Sequence, residues 1–158
     1  VYKHIDENFQ STFTELTGGG KAWLELEKPE TVFDGGVSIK ARMPRKRLFP
    51  VEALSGGEKS LVSMAFIFAI QRYDPSPFYL LDEPDQNLDG VNTEHIGRAI
   101  ALQSAVAQFL VVSLHHAALR EAAHVIGVFM GDDGVSHLHQ IHDVDHFIAS
   151  LPTEEVAA

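Results

Sequence analysis

The residues after Pro50 alternate between helical and extended patterns, and this alternation limits the folds that the chain can adopt. In order, the predicted elements are helix 60–73, strand 78–82, helix 92–103, strand 109–114, helix 117–123 and strand 125–130. Apolar strands separated by helices pair in parallel and are covered by helices. The sequence therefore predicts an α/β fold with a mostly parallel sheet flanked by helices.

The segments on either side of this region are predicted from their own periodicities. A helical apolar face is formed by Ile5, Phe9, Phe13 and Leu16. No capping residue precedes Val1, so we expect the helix to continue a longer one that was cut at this point. "AWLELE" and "VSIKA" alternate and predict antiparallel strands in a β-rich lead-in. A last strand, "VSHLHQI", and a helix over 144–151 complete the chain.

We treat the 158 residues as one domain with four parts. They are a helix at 1–17, the β-rich lead-in at 18–50, the main α/β region at 51–142, and a C-terminal helix and tail at 143–158. The chain contains no cysteine, signal pattern or long apolar run. We therefore expect a cytoplasmic protein with no membrane partner.

The net charge of −10 disfavours wrapping of nucleic acid by the whole surface, but basic residues cluster locally. Five of the 12 lysines and arginines lie close together: Lys40, Arg42, Arg45, Lys46 and Arg47. This cluster is either a solvated hairpin end or a contact with DNA or another partner.

The only Gly-Lys pair, in "TGGGKAW", does not form a phosphate loop. That loop needs a glycine five positions before the last glycine and a hydroxyl residue after the lysine. Glu15 and Ala22 occupy those two positions, so no hydroxyl is available there for a magnesium ion. No other segment of the chain fits the pattern.

The segment "PFYLLDEPD" predicts a buried strand that ends in two carboxylates, Asp82 and Glu83. Ligands of open α/β sheets bind at the carboxyl ends of the strands. In nucleotide hydrolases, an aspartate at this point holds Mg²⁺ and an adjacent glutamate can deprotonate the attacking water. The alternative is an acidic strand end before a proline turn.

The segment "LSGGEKS" predicts a site for a phosphate at the start of a helix. Gly56 and Gly57 let backbone amides approach an anion, Ser55 supplies a hydroxyl, and the helix dipole adds positive potential. The helix that follows is apolar nearly all round and is expected to be buried. An ordinary glycine-rich helix start is the alternative interpretation.

Together, these segments resemble ABC-type ATPases. "LSGGEK" resembles the signature motif and includes Ser55, Gly56, Gly57, Glu58 and Lys59; "FYLLDE" resembles the Walker B strand, and "NLD" the D-loop. Within that superfamily the chain is most similar to the C-terminal head lobe of SMC (structural maintenance of chromosomes) proteins of prokaryotic type. "NFQSTFTEL", "GGGKAWLELE", "FDGGVSIKARMP" and "VIGVFMGDDGVS" carry this likeness to about Val135.

The resemblance implies a shared catalytic site that uses ATP and Mg²⁺. Asp82 would hold magnesium through water and Glu83 would be the general base for ATP bound by the N-terminal lobe of the same head. Ser55, Gly56 and Gly57 would contact the γ-phosphate of ATP on a second head, and Asp89 would lie at that dimer contact. The isolated chain would then have little or no ATPase activity.

The resemblance also implies partners and a cellular role. The partners would be the N-terminal lobe, joined through a long coiled coil, a second SMC head, DNA and the winged-helix domain of a kleisin subunit. The protein would be nucleoid-associated and act in chromosome condensation and segregation. A module that only docks a kleisin is a second hypothesis, and a transporter domain is disfavoured because its phosphate loop lies upstream in the same chain.

Three features depart from the pattern or lie outside it. Leu114 occupies the place of the switch histidine of many ABC ATPases, with His115 next to it as a candidate ATP contact. Pro84 stands where SMC proteins usually have an aliphatic residue, which keeps a zinc-hook or RecN-like double-strand-break repair ATPase as the alternative. The remaining feature is a histidine group, read either as surface residues or as metal ligands: His137, His139, His142 and His146.

Overall fold

The computed structural model describes residues 1–47 and 49–150, which form five α-helices and seven strands. In chain order they are α1 (Tyr2–Thr17), β1 (Lys21–Leu26), β2 (Val37–Arg42), β3 (Phe49–Pro50), a 3₁₀ turn (Val51–Ala53), α2 (Gly56–Tyr73), β4 (Phe78–Asp82), α3 (Gly90–Gln103), β5 (Gln108–Val112), α4 (His116–Arg120), β6 (Val125–Met130), β7 (Ser136–Ile141) and α5 (Val144–Ser150). Strands β4 and β6 have the predicted bounds. The predicted end of the last helix at Leu151 and the tail lie outside the described residues.

The strands form three small sheets. The lead-in is antiparallel as expected, in the order β1-β2-β3, and β4 pairs in parallel with β5. Strand β6 pairs antiparallel with β7 through the turn at 131–134. The expected mostly parallel sheet is therefore limited, within the described residues, to β4 and β5. The reason is local: a short turn returns the chain beside β6, and no described strand joins β6 to β5.

The main core lies between α1, α2 and the first sheet, as the apolar periodicity of α1 predicts. Phe9, Phe13 and Leu16 are buried against α2 and β1, and Ile5 packs at the edge of the cluster. The prediction for α2 is only partly correct, because Ile67 and Ile70 on its outer side are each 40% exposed. No helix among the described residues has both the length and the apolar character needed to cross a bilayer.

The glycines of "TGGGKAW" end a helix. Gly18 has φ 64°, and the amide of Gly19 donates to the carbonyl of Thr14 at 3.0 Å, which closes the last turn of α1. A β-carbon on Gly20 would lie 2.8 Å from the ring of Phe13, so glycine is needed for this close packing. A phosphate loop has its helix after the glycines, and here the helix precedes them. This geometry agrees with the sequence-based exclusion of a phosphate loop.

Helix α1 is bonded to the edge of the first sheet at one residue. The hydroxyl of Tyr2 donates to the carbonyl oxygen of Leu24 at 2.7 Å, and the amide of Leu24 donates to Oδ1 of Asp6, also at 2.7 Å. Among the described strands β1 lies at the edge of its sheet, so Tyr2 and Asp6 satisfy backbone atoms of Leu24 that no described strand reaches. On its α2 side, α1 donates from Asn8 to the carbonyl of Ala69 at 3.2 Å.

Candidate functional site

The first turn of α2 is held by a reciprocal capping box, which the Ser-x-x-Glu spacing favours. Ser55 is the N-cap: its Oγ accepts from the amide of Glu58 at 3.3 Å, and its own amide donates to Oε2 of Glu58 at 2.9 Å. The serine hydroxyl acts as an acceptor in this cap, so its proton can still be donated to a ligand. Ser55 and Gly56 are exposed at the positive end of the helix.

A lysine from the basic cluster supports this cap, which the sequence did not reveal. Nζ of Lys46 lies 2.8 Å from Oε1 of Glu58, so the two carboxylate oxygens of Glu58 have different partners. The ammonium group of Lys46, followed by the amide of Ser55, holds the pKa of Glu58 below its usual value. Lys59, the last residue of the signature-like motif, is exposed beside this pair.

The two glycines of the motif differ in their surroundings. A β-carbon on Gly56 would have no heavy atom within 4 Å, whereas one on Gly57 would lie 2.6 Å from the carbonyl oxygen of Asn87. Gly57 therefore allows close contact between α2 and the loop that follows β4, while Gly56 leaves open space in front of the amides. This contact joins the "LSGGEK" and "NLD" segments in one site.

The predicted carboxylates lie at the carboxyl end of β4, but the prediction of a buried strand is wrong, since Phe78 is 55% and Leu80 is 70% exposed. Asp82 is the last residue of the strand and is exposed, and the amide of Glu83 extends the ladder to the carbonyl of Val112 at 2.9 Å. Glu83 has φ 45°, in the left-handed region that non-glycine residues seldom adopt. Such a conformation costs on the order of 1–3 kcal/mol and is found preferentially at functional sites.

The loop from Glu83 to Asp89 is anchored by one apolar residue and exposes its polar ones. Leu88 is buried in the main core and its amide donates to the carbonyl of Asp85 at 3.0 Å. Asn87 and Asp89 on either side are exposed. Asp89 also caps α3, accepting from the amide of Asn92 at 2.9 Å. The D-loop-like segment is thus fixed from below and open above.

Two residues that sequence reasoning missed connect this loop to the end of β5. Asp85 is 2% exposed and its Oδ2 accepts from the hydroxyl of Ser113 at 2.5 Å. Ser113 in turn accepts from the amide of His115 at 3.0 Å, and Leu114 between them is 80% exposed. The available signal was a third acid in "DEPD" and a small hydroxyl residue at a strand end. His115 lies at the start of α4, as the N-cap residue.

The predicted site residues are thus brought together in two connected groups. Ser55 to Lys59 contact the D-loop-like segment through Gly57 and Asn87, and Asp82, Glu83 and His115 share the carboxyl ends of β4 and β5. Exposed amides and a hydroxyl at a helix N-terminus fit a phosphate group. An exposed aspartate at the end of a strand fits Mg²⁺ held through water.

Two other predicted features have simpler surroundings. In the basic cluster, Lys40 lies 3.4 Å from Glu25, so it, like Lys46, has an acidic neighbour, whereas the arginines are exposed. Among the C-terminal histidines, His137 stacks on Phe129 at 5.6 Å between ring centres. Across residues 1–47 and 49–150, no group of three or more histidines and acids is arranged to hold a metal ion.

Comparisons with known proteins give consistent matches. A family model described as "RecF/RecN/SMC N terminal domain" matches residues 32–137. The Chromosome partition protein Smc of Pyrococcus furiosus is 44% identical over 136 residues, which are 86% of this chain and 12% of that protein. The chain thus spans about an eighth of the length of the curated relatives it matches.

Two solved structures are similar over most of the chain. One comes from work on ATP-driven dimerization and DNA-stimulated activation of SMC ATPases; it has a TM-score of 0.82 and 41% identity, and covers 89% of this chain and 84% of that one. Another is an Smc head bound to the C-winged helix domain of ScpA, with a TM-score of 0.84, 42% identity, and coverage of 89% and 43%.

Proposed function

The chain belongs to the RecF/RecN/SMC family, and we propose that it is the C-terminal lobe of an SMC ATPase head that acts in chromosome condensation and segregation. The observation that carries this proposal is the joining of two half-sites. The N-terminus of α2 contacts the D-loop-like segment through Gly57, and in the chain this segment follows the carboxylates at the end of β4. The 158 residues contain no phosphate-loop sequence, which supports the proposal that other lobes complete both groups of site residues.

The position of Asp82 supports a role toward a lobe of the same head. In the parallel pair, Asp82 is opposite Val112 and Leu80 is opposite Leu110, so all four side chains share one face of the sheet. Leu80 is 70% and Val112 57% exposed on this face. The opposite face carries Leu81 and packs against the core. Asp82 therefore lies on the same face as exposed apolar side chains, which we expect another lobe to bury.

The β6-β7 hairpin carries a second apolar face. Val128 and Leu138 are cross-strand partners, 67% and 75% exposed, and Ile126 and Met130 flank them on the same side. Contiguous exposed apolar surface of this kind marks a protein interface. We infer that the N-terminal lobe, which bears the phosphate loop, covers the two apolar sheet faces and completes the head.

We assign roles to the site residues on this basis. Bound MgATP supplies the phosphoanhydride bond and the negative charge between the heads. Asp82 would hold magnesium and Glu83 would accept the proton of the attacking water. At the N-terminus of α2, the Ser55 hydroxyl and the amides of Gly56 and Gly57 donate to the γ-phosphate on a second head.

The remaining assignments concern contacts around this centre. Glu58 and Lys59 complete the signature surface, Asp89 contacts the partner head, and His115 lies near the nucleotide. The structural relative bound to the ScpA winged-helix domain supports a kleisin as partner of this lobe. The similar structure from work on ATP-driven dimerization and DNA-stimulated activation of SMC ATPases supports a second head and DNA as partners. We propose that the exposed side chains of Arg42, Arg45 and Arg47 contact DNA.

A repair ATPase of the RecN-like or zinc-hook type is the second candidate. Pro84 in "DEPD" favours it, and the matched family description includes RecN. The 44% identity to a chromosome partition protein favours the SMC assignment.

The test is Glu83→Gln in the head assembled from this chain and its phosphate-loop lobe. We expect ATP hydrolysis to fall at least about 100-fold, because loss of a general base typically costs 10²–10⁴-fold. ATP-bound head dimers should accumulate in gel filtration, and kleisin binding should not change. Glu7→Gln, on the exposed side of α1, is the matched control. The proposal is wrong if this chain alone hydrolyses ATP at a Glu83-dependent rate.

A further inference from the structure

The buried carboxylate of Asp85 is bonded in a defined direction. Because Oγ of Ser113 accepts the amide proton of His115, its own proton is directed to Oδ2 of Asp85. The path from Asp85 to the backbone of His115 therefore consists of two hydrogen bonds, of 2.5 and 3.0 Å. It links the loop after β4 with the segment after β5.

The main chain around Asp85 organises the loop on the other side. The carbonyl of Asp85 accepts from Leu88, and the carbonyl of Glu83 accepts from Gln86 at 3.2 Å. The same residue thus shapes the turn of the D-loop-like segment with its backbone and holds Ser113 with its side chain. A shift of either segment must break bonds made by Asp85.

This arrangement is not the one that stability alone would select. Oδ1 of Asp85 is buried and has no hydrogen-bond partner among the described residues. An unsatisfied buried oxygen is destabilising, and two residues before it Glu83 has a left-handed backbone. Local costs of this kind concentrate where the chain is kept in a functional geometry.

We propose that Asp85, acting through Ser113, is a positioning residue that fixes the segment beginning α4 against the turn that carries Glu83. This inference rests on the proposed function. The role of Asp85 is to keep the general base Glu83 and the start of α4 in a fixed relative position during hydrolysis. The Ser113 hydroxyl makes this connection through its bonds to Asp85 and to the amide of His115.

The kinetic test uses the assembled head with Ser113→Ala, Asp85→Ala and the double variant, because asparagine at position 85 would keep an oxygen that accepts the Ser113 proton. We expect each single variant to lower kcat about tenfold or more while KM for ATP changes less than about twofold, because positioning acts in the transition state. The double variant should be no slower than the slower single variant. Ser113→Thr, which keeps the hydroxyl, should restore most of kcat. Ser104→Ala removes an exposed hydroxyl bonded only within its own turn and is the control.

A second measurement does not depend on activity. In the assembled head without nucleotide, amide hydrogen exchange of His115 should accelerate about tenfold or more in Ser113→Ala and stay near wild type in Ser113→Thr. Unchanged exchange, additive kinetic effects, or equal changes in kcat and KM would overturn the inference. If Glu83→Gln abolishes hydrolysis and Ser113→Ala has no effect, the inference alone fails. If Glu83→Gln has no effect, the proposed function fails.

Discussion

Glu58 uses its two carboxylate oxygens for different partners, and this division makes its ionisation matter to the signature-like surface. One oxygen accepts the amide of Ser55 and the other lies 2.8 Å from Nζ of Lys46. The bond from the Ser55 amide orients the cap, and the contact with Lys46 attaches the turn that carries Lys46 to the start of α2. Only the second needs the negative charge, so a glutamine would keep the first.

Replacing Glu58 with glutamine should therefore give a pH-dependent loss of stability. Because the pKa of Glu58 is lowered in the folded chain, its charge stabilises the fold above the usual value of 4.5 and ceases to do so as the pH falls through the lowered pKa. Lys46 is largely exposed, so we expect about 0.5 kcal/mol at pH 7, shrinking toward zero below pH 4.5. Urea unfolding at several pH values measures it.

Lys46→Met should give the same loss at neutral pH and add nothing in the Glu58→Gln background. A loss for Glu58→Gln that stays constant down to low pH would exclude the ion pair as its cause.

At the scale of elements, the signature helix and the D-loop-like segment are positioned by a single close approach. Gly57 lies against the carbonyl of Asn87, and Leu88 anchors the same loop in the core. Neighbouring Gly56 has open space before it. The two adjacent glycines thus form a matched pair, one needed for packing and the other for access.

Alanine at position 57 should destabilise the chain by about 1–3 kcal/mol, because a β-carbon would overlap a backbone oxygen that cannot turn away. Alanine at position 56 should stay within about 0.5 kcal/mol of wild type, since nothing opposes the added carbon. Chemical unfolding of both variants measures the difference. Equal stability of the two variants would contradict the contact between α2 and the D-loop-like segment.

How far the sequence predicts this molecule also depends on the scale of the interaction. The bounds of β4 and β6 and the buried face of α1 follow from local periodicity. The pairing of β6 with β7, and not with a parallel neighbour, depends on which strands are present to pair. The contacts of Asp85 with Ser113 and of Lys46 with Glu58 join residues 28 and 12 positions apart, which motif spacing does not encode.

At the scale of the whole molecule, the chain combines a buried core with apolar sheet faces that are exposed. Phe9, Phe13 and Phe68 are fully buried in the main core, whereas Leu80 and Leu138 are at least 70% exposed. The main core does not involve the exposed faces. Substitutions there should therefore separate folding from assembly.

Val128→Thr combined with Leu138→Thr should change the unfolding free energy of the chain by less than about 0.5 kcal/mol. The same pair should weaken binding of the phosphate-loop lobe at least about tenfold, because each buried aliphatic side chain contributes roughly 1.5 kcal/mol or more. Calorimetric titration measures the affinity. Leu102→Thr with Val106→Thr, equally exposed at the end of α3 and in the next turn, is the control. An equal loss of affinity in the control would argue against this interface.

The bonds at Leu24 give α1 a mechanical character. Both polar backbone groups of that residue are held by the first turns of the helix, and Asn8 and Glu15 tie the same helix to Ala69 and Arg72 of α2. A rotation of α1 about its own axis would strain these hydrogen bonds and the ion pair. A rotation of the first turns of α1 would therefore affect both β1 and the C-terminal end of α2. Because α2 is one uninterrupted helix, a small tilt of its C-terminal end would displace Ser55 at its N-terminus.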